Sequence, residues 1–222
     1  VVLVAEQEVR VNAGAELTAT AAPGTTTGPV LNLDKPAALL RLAGWRIVWQ
    51  PAAAPKAVIM VYPHTSNWDF ILGILFRFAV RMPIRWAAKD TLFREPAGMF
   101  FRALGGVAVN RRERTGFVEQ MAKTCAGSEN FYLAITPEGT RGGVPHMKSG
   151  FYRLARLAKI PVGLGCIDYA RREVGILGYL TLTGDETADL ATLAEAYAGR
   201  RGKYPAQQGP FMFPDATPDS RS

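Results

Sequence analysis

The sequence predicts an α/β fold: a single domain with a largely parallel or mixed sheet flanked by helices. Two observations carry that expectation. Short runs rich in β-branched and apolar residues alternate with stretches of helical periodicity between residues 34 and 205. In addition, His64, Lys89, Asn110-Arg111 and Glu138 to Arg141 each closely follow one of the strand-like runs. Ligands of open α/β sheets bind outside the carboxyl ends of the strands. If those strands are parallel, four loops far apart in sequence meet along one edge. A chain of 222 residues is long enough for one good-sized core and hardly for two.

Residues 1–33 read as a flexible tail, because residues 18–29 are small and turn-rich. Asp34 can cap a short helix that holds Pro36 in its first turn, runs through Leu42 and is ended by Gly44. Residues 45–50 alternate as a strand does. Residues 57–62 form an apolar run bounded by Pro55 and Pro63 and read as a buried strand. Ser66 or Asn67 can cap a helix that begins at Trp68 and stops before Pro83. That helix is apolar nearly all round, as a deeply buried or partly lipid-facing helix is. A strand over 84–88, a short helix after Pro96, a strand over 106–109 and a helix over 113–126 follow. Residues 131–135 read as a fifth strand. Residues 149–159 read as an amphipathic helix, with Phe151, Leu154 and Leu157 on one side and Arg153, Arg156 and Lys159 on the other. Strands over 161–168 and 174–181 and a helix over 189–198 complete the domain. Residues 206–222 read as a C-terminal tail.

Composition narrows the partners. Lys and Arg number 26 against 19 acids, a net charge of +7 that favours anionic partners: nucleic acid, phosphorylated ligands or an anionic membrane surface. Cys125 and Cys166 match no metal or disulfide spacing, so two buried thiols in a reducing compartment are expected. No apolar run reaches the length of a transmembrane helix, and the most apolar stretch is broken by Arg77. Residues 1–5 are apolar but lack a basic leader and are followed by Glu6 and Glu8, unlike a signal peptide. The expectation is a cytoplasmic protein, peripherally associated with the inner face of the membrane.

His64 and Asp69 carry the most specific chemistry. Residues i and i+5 of a regular helix differ by about 500° of rotation, so they do not share a face. His64 must lie in the turn before the helix if it is to meet Asp69 in the first turn. The carboxylate would then hold one imidazole nitrogen and leave the other free as a base. The bland alternative is a polar loop residue beside a first-turn acid favoured by the helix dipole. The same edge would offer Glu138 and the cations Lys89, Arg111 and Arg141, which suit a base beside a phosphate-binding surface. The sequence has no Gly-x-Ser-x-Gly elbow and no Walker loop. With His64 and His146 its two histidines, a histidine-rich metal site is excluded, and neither metal nor resident cofactor is expected. Acyl transfer without an enzyme nucleophile remains, since a thioester is already activated.

These residues resemble the glycerolipid and lysophospholipid acyltransferases, which include glycerol-3-phosphate and 1-acylglycerol-3-phosphate acyltransferases. The first block of that family is His, four residues, then Asp, as in His64-Thr65-Ser66-Asn67-Trp68-Asp69. A Gly-led strand ending in Arg is matched by residues 105–111. The block Pro-Glu-Gly-Thr-Arg is matched in full by Pro137 to Arg141. Lys148-Ser149-Gly150 and Ile160-Pro161-Val162 resemble the blocks that follow. The resemblance spans about residues 45–179.

The resemblance implies a glycerol-3-phosphate acyltransferase-like fold and a set of roles. His64 and Asp69 would be the catalytic pair, His64 as general base on the acceptor hydroxyl and Asp69 orienting it. Arg111 and Arg141 would bind an acceptor phosphate. Glu138, Gly139 and Thr140 would shape the acceptor site, and Lys89 would assist. The acyl donor would be acyl-CoA or an acyl carrier protein, as co-substrate. Asn110 stands where many members carry Asp, Thr136 where many carry an aromatic or aliphatic residue, and the usual second proline after Pro161 is absent. The acceptor therefore stays open between a lysophospholipid, glycerol phosphate and another lipid. A catalytically silent lipid- or nucleic-acid-binding module of the same fold is the competing reading. The intact His64, Asp69 and Pro137-to-Arg141 set speaks against it, and no nucleic-acid partner is expected.

Overall fold

The structure is a computed structural model that describes residues 35–109 and 114–214. Asp34, the tail over 1–33, Asn110, Arg111 and residues 215–222 lie outside the described residues. Helix α1 (Lys35–Leu42) ends where Gly44, at φ +77°, lets Trp45 N–H reach back to Leu40 O at 2.8 Å. In order there follow β1 (Arg46–Trp49), β2 (Lys56–Tyr62), α2 (Trp68–Ala79) and β3 (Arg85–Lys89). After a 3-10 turn at Asp90–Phe93 come α3 (Ala97–Ala103), β4 (Gly106–Val109), α4 (Arg114–Ala126) and β5 (Phe131–Ile135). Helix α5 (Gly150–Ala158), β6 (Val162–Asp168), β7 (Glu173–Leu180) and α6 (Glu186–Ala196) complete the order.

The seven strands form one mixed sheet in the order β1-β7-β6-β2-β5-β3-β4. Strands β6, β2, β5, β3 and β4 are mutually parallel, as the strand-helix alternation predicts. Strand β7 runs antiparallel to β6, and β1 lies parallel to β7 at the sheet edge. The reversal follows from the connection. Residues 169–172 make a tight turn, far too short for the crossover that a parallel pair needs.

Alternation along β2 separates the two faces. Val58, Met60 and Tyr62 enter a core shared with α4, α5 and α6. Ala57 and Ile59 enter the core under α1 and α2. Helix α2 buries Leu72 and Phe76 and leaves Trp68, Ile71 and Phe78 exposed. It is thus neither fully buried nor fully open. Helix α5 corrects one expectation. Its buried stripe is Phe151, Tyr152, Leu154 and Ala155, while Leu157 is 56% exposed. Six positions at about 100° each carry Leu157 well away from the face of Phe151.

The chain past 205 departs from the expected tail. Residues 206–214 pack onto the domain, and Phe213 is buried in the α5-side core. Phe213 meets Phe151 at 6.0 Å between ring centroids, and Phe211 meets Tyr62 at 4.7 Å. Two aromatic side chains bury enough apolar surface to hold a turn-rich segment in place. Cys125 and Cys166 are free and buried. Among the described residues no helix is long and apolar enough to cross a membrane.

Candidate active site

The strand register sets the site. Met60 is level with Ile135, and Trp86 with Ala134. Carrying those registers forward places Tyr62, Lys89 and Pro137 at one height, where β2, β3 and β5 end. The turn after β2 holds His64, and α2 begins at Trp68. Ser66 Oγ accepts Trp68 N–H at 3.2 Å, so the serine hydroxyl caps the helix and the Asn67 side chain makes no capping bond.

Asp69 reaches back over this turn. Its Oδ2 accepts the N–H groups of Thr65 and Ser66, both at 2.9 Å. His64 Nδ1 lies 3.2 Å from the same oxygen, an ion-pair distance without full hydrogen-bond alignment. The two backbone donors already occupy the best directions at Oδ2. The other carboxylate oxygen, Oδ1, accepts the Tyr169 hydroxyl at 2.8 Å. Asp69 is buried and fully engaged, and it faces the imidazole on Nδ1, leaving Nε2 as the second ring nitrogen.

Glu138 is the second buried carboxylate. One oxygen accepts His64 N–H at 2.7 Å and the other Gly209 N–H at 3.0 Å. Burial pushes its pKa up, and the two N–H donors partly offset that. It ties the histidine turn to the C-terminal segment. Tyr204 N–H bonds Thr65 Oγ1 at 3.1 Å, Tyr62 O–H bonds Gly209 O at 3.1 Å, and Met147 N–H bonds Met212 O at 2.8 Å. Residues 204–212 therefore clasp both the His64 turn and the loop that follows β5.

A cavity of about 680 Å³ opens beside His64 and runs between α2 and the sheet. Ile59, Val61, Ile74, Ile84 and Trp86 give it apolar walls. His64, Lys89, Gly139, Thr140 and Arg141 also line it, with Lys89 and Arg141 exposed. The wall includes Cys166, whose thiol burial pushes up to about 11, so it stays protonated at neutral pH. Gly139 adopts φ +64°, a left-handed conformation that favours glycine, and a Cβ there would have to displace the end of the Lys148 side chain. Among the described residues no group of three or more His, Cys, Asp or Glu could hold a metal ion.

Residues 48–163, just over half of the chain, match the family model described as Acyltransferase. The chain belongs to the acyltransferase family. In solved structures it is similar to the 1-acyl-sn-glycerophosphate (LPA) acyltransferase PlsC from Thermotoga maritima, at 16% sequence identity and a TM-score of 0.45. That similarity covers 78% of this chain and 80% of the other. No curated protein sequence matches the chain.

Of the residues singled out from the sequence, this acyltransferase brings His64, Asp69, Lys89, Gly139, Thr140 and Arg141 to one cavity. Glu138 stands apart from the lining and acts on the site through the His64 turn it braces. Arg111 lies outside the described residues. His146 is an exposed loop residue, as expected. Sequence reasoning missed Tyr169 and the clasp over 204–212. Tyr169 follows the end of β6, which is parallel to β2, so the strand-end rule that selected His64 also applied to it. For the clasp, the signal was Phe211 and Phe213 in a segment otherwise composed like a tail.

Proposed function

We propose that the protein moves a fatty acyl group from acyl-CoA or an acyl carrier protein to the hydroxyl of a lysophospholipid or glycerol phosphate. One observation carries this reading: His64, backed by buried Asp69, stands at an apolar cavity whose lining also bears exposed Lys89 and Arg141. The apolar walls suit an acyl chain, and the cations suit a phosphate. His64 Nε2 takes the proton of the acceptor hydroxyl as that oxygen attacks the thioester carbonyl. The tetrahedral adduct collapses, the C–S bond breaks, and the imidazolium returns the proton to the leaving thiolate. No enzyme-bound acyl intermediate forms. Asp69 stabilises the imidazolium. Arg141 and Arg111 grip the phosphate, Gly139 and Thr140 shape the acceptor's place, and Lys89 adds charge.

In this reading the enzyme works on the cytoplasmic face of a membrane. Exposed Trp68, Ile71, Met99 and Phe100, with exposed Arg81, Arg85 and Arg94 in the same stretch of chain, support peripheral docking. Each basic residue near an anionic surface contributes about 1 kcal/mol.

Thiol release from palmitoyl-CoA against a panel of lysolipids tests the reading. A phosphorylated lysolipid is expected to outcompete its dephosphorylated counterpart. Arg141→Ala raises the apparent KM of the acceptor far more than that of the donor, and Arg141→Lys recovers part of the loss, since a point charge cannot reproduce the guanidinium fork. Equal use of a neutral lysolipid would overturn the acceptor assignment. Absence of thiol release with every acceptor would favour the silent binding module.

A further inference from the structure

Asp69 is held by more than its own turn. Its Oδ1 accepts the hydroxyl of Tyr169, a residue 100 positions further along the chain. The phenol is itself fixed. Its ring stands edge-on to Trp45 at 4.9 Å and 88°, and its backbone N–H donates to Arg201 O at 2.8 Å. With Oδ2 taken by Thr65 and Ser66 N–H groups, both oxygens of this carboxylate are held by donors of fixed position. One donor comes from the strand β6 end, the others from the histidine turn.

We infer that Tyr169 is a positioning residue for the reaction, acting through Asp69 on His64; the inference rests on the reading of His64 as general base. It sets the carboxylate plane that faces Nδ1. It also draws negative charge toward Oδ1 and so limits how strongly Asp69 favours the imidazolium. Burial first, and the adjacent Asp69 second, keep the phenol protonated far above neutral pH, so it remains a donor throughout the neutral range. The other ionisable groups around this relay are Glu138 on the His64 amide, Tyr204 and Lys203 from the C-terminal segment, Lys89 and Arg141 on the cavity wall, and the thiol of Cys166. None of these bonds Oδ1; the Tyr169 hydroxyl also meets the Ser66 side chain, so its removal changes the relay and that one contact.

The test is Tyr169→Phe, which keeps the ring against Trp45 and deletes the hydroxyl. Two readouts are taken. In the first, His64 and His146 are the chain's two histidines, so a ¹⁵N NMR titration in a His146→Gln background reports His64 alone. Loss of the donor leaves more charge facing Nδ1, which favours the imidazolium. The His64 pKa is expected to rise by about half to one unit, the scale of one charge-assisted hydrogen bond acting at second hand. In the second, the base must be neutral to act. The acid limb of kcat/KM against pH therefore moves up by the same amount, and kcat falls roughly tenfold with both KM values within about twofold of wild type. A His64 pKa and acid limb that stay in place, whatever happens to kcat, would overturn the inference and leave Tyr169 a packing residue. A raised His64 pKa in a protein that transfers no acyl group would uphold the relay and remove the function proposed for it.

Discussion

The two faces of the sheet use the same strands for different ends. Toward α4, α5 and α6, strand β2 sends Met60 and Tyr62 into a core closed by Phe151, Leu133, Leu154 and Phe213. Phe151, Leu154 and Met60 are wholly buried there. Toward α2 the same strand sends Ala57 and Ile59, and a cavity of about 680 Å³ remains between helix and sheet. Gly73 lies on that helix along the cavity wall, and a Cβ placed on it would touch nothing within 4 Å. One face is filled with aromatic and branched side chains and holds the fold. The other keeps a helix at a distance and carries the proposed site. The difference teaches that the hollow is built by leaving side chains out where the packed face puts them in.

Mutations should separate the faces. The largest effect belongs to the packed one. Phe151→Ala is expected to lower unfolding free energy by about 3–5 kcal/mol, read by chemical denaturation, because little around a fully buried ring can collapse into its place. Specific activity per folded molecule should change little. A loss below about 1 kcal/mol would mean that the two faces are packed alike.

On the hollow face a larger side chain should act the other way round. Gly73→Leu fills cavity and is expected to cut kcat/KM for a long-chain donor by about tenfold, while a short-chain donor is used nearly as before. Equal losses for both donors would place the acyl chain elsewhere. The smallest effect is that of Gly73→Ala. Its methyl meets open space, and it should stabilise α2 by about 0.5–1 kcal/mol through reduced chain entropy, with a higher Tm and near-normal turnover.

The packed elements were largely legible in the sequence, because periodicity reports which side chains go inside. Strand β5 falls on residues 131–135 as read, and β2 and α2 begin within a residue of their expected places. The His64–Asp69 meeting was legible too, since a turn before a helix is the geometry that lets positions five apart converge. Strand order was not, because neither the reversal of β7 nor the edge place of β1 leaves a local pattern. Leu157 misled because a six-residue interval resembles two steps of three yet drifts off the face. The C-terminal clasp was hidden for a different reason. Its bonds to Thr65 and Glu138 run through backbone N–H groups, which every residue except proline carries. The cavity itself could not be read, since it consists of absent side chains.

The central claim is that the hollow face is built around one base. It is tested most directly by steady-state thiol release from palmitoyl-CoA with a phosphorylated lysolipid, comparing the native chain with His64→Ala at matched folded concentration. The His64 backbone N–H bonds Glu138 while its ring faces Asp69 at 3.2 Å, and alanine keeps the backbone bond. The variant should melt as a folded protein and lose turnover by roughly two to four orders of magnitude. A folded His64→Ala protein that transfers acyl groups at a near-normal rate would contradict the account.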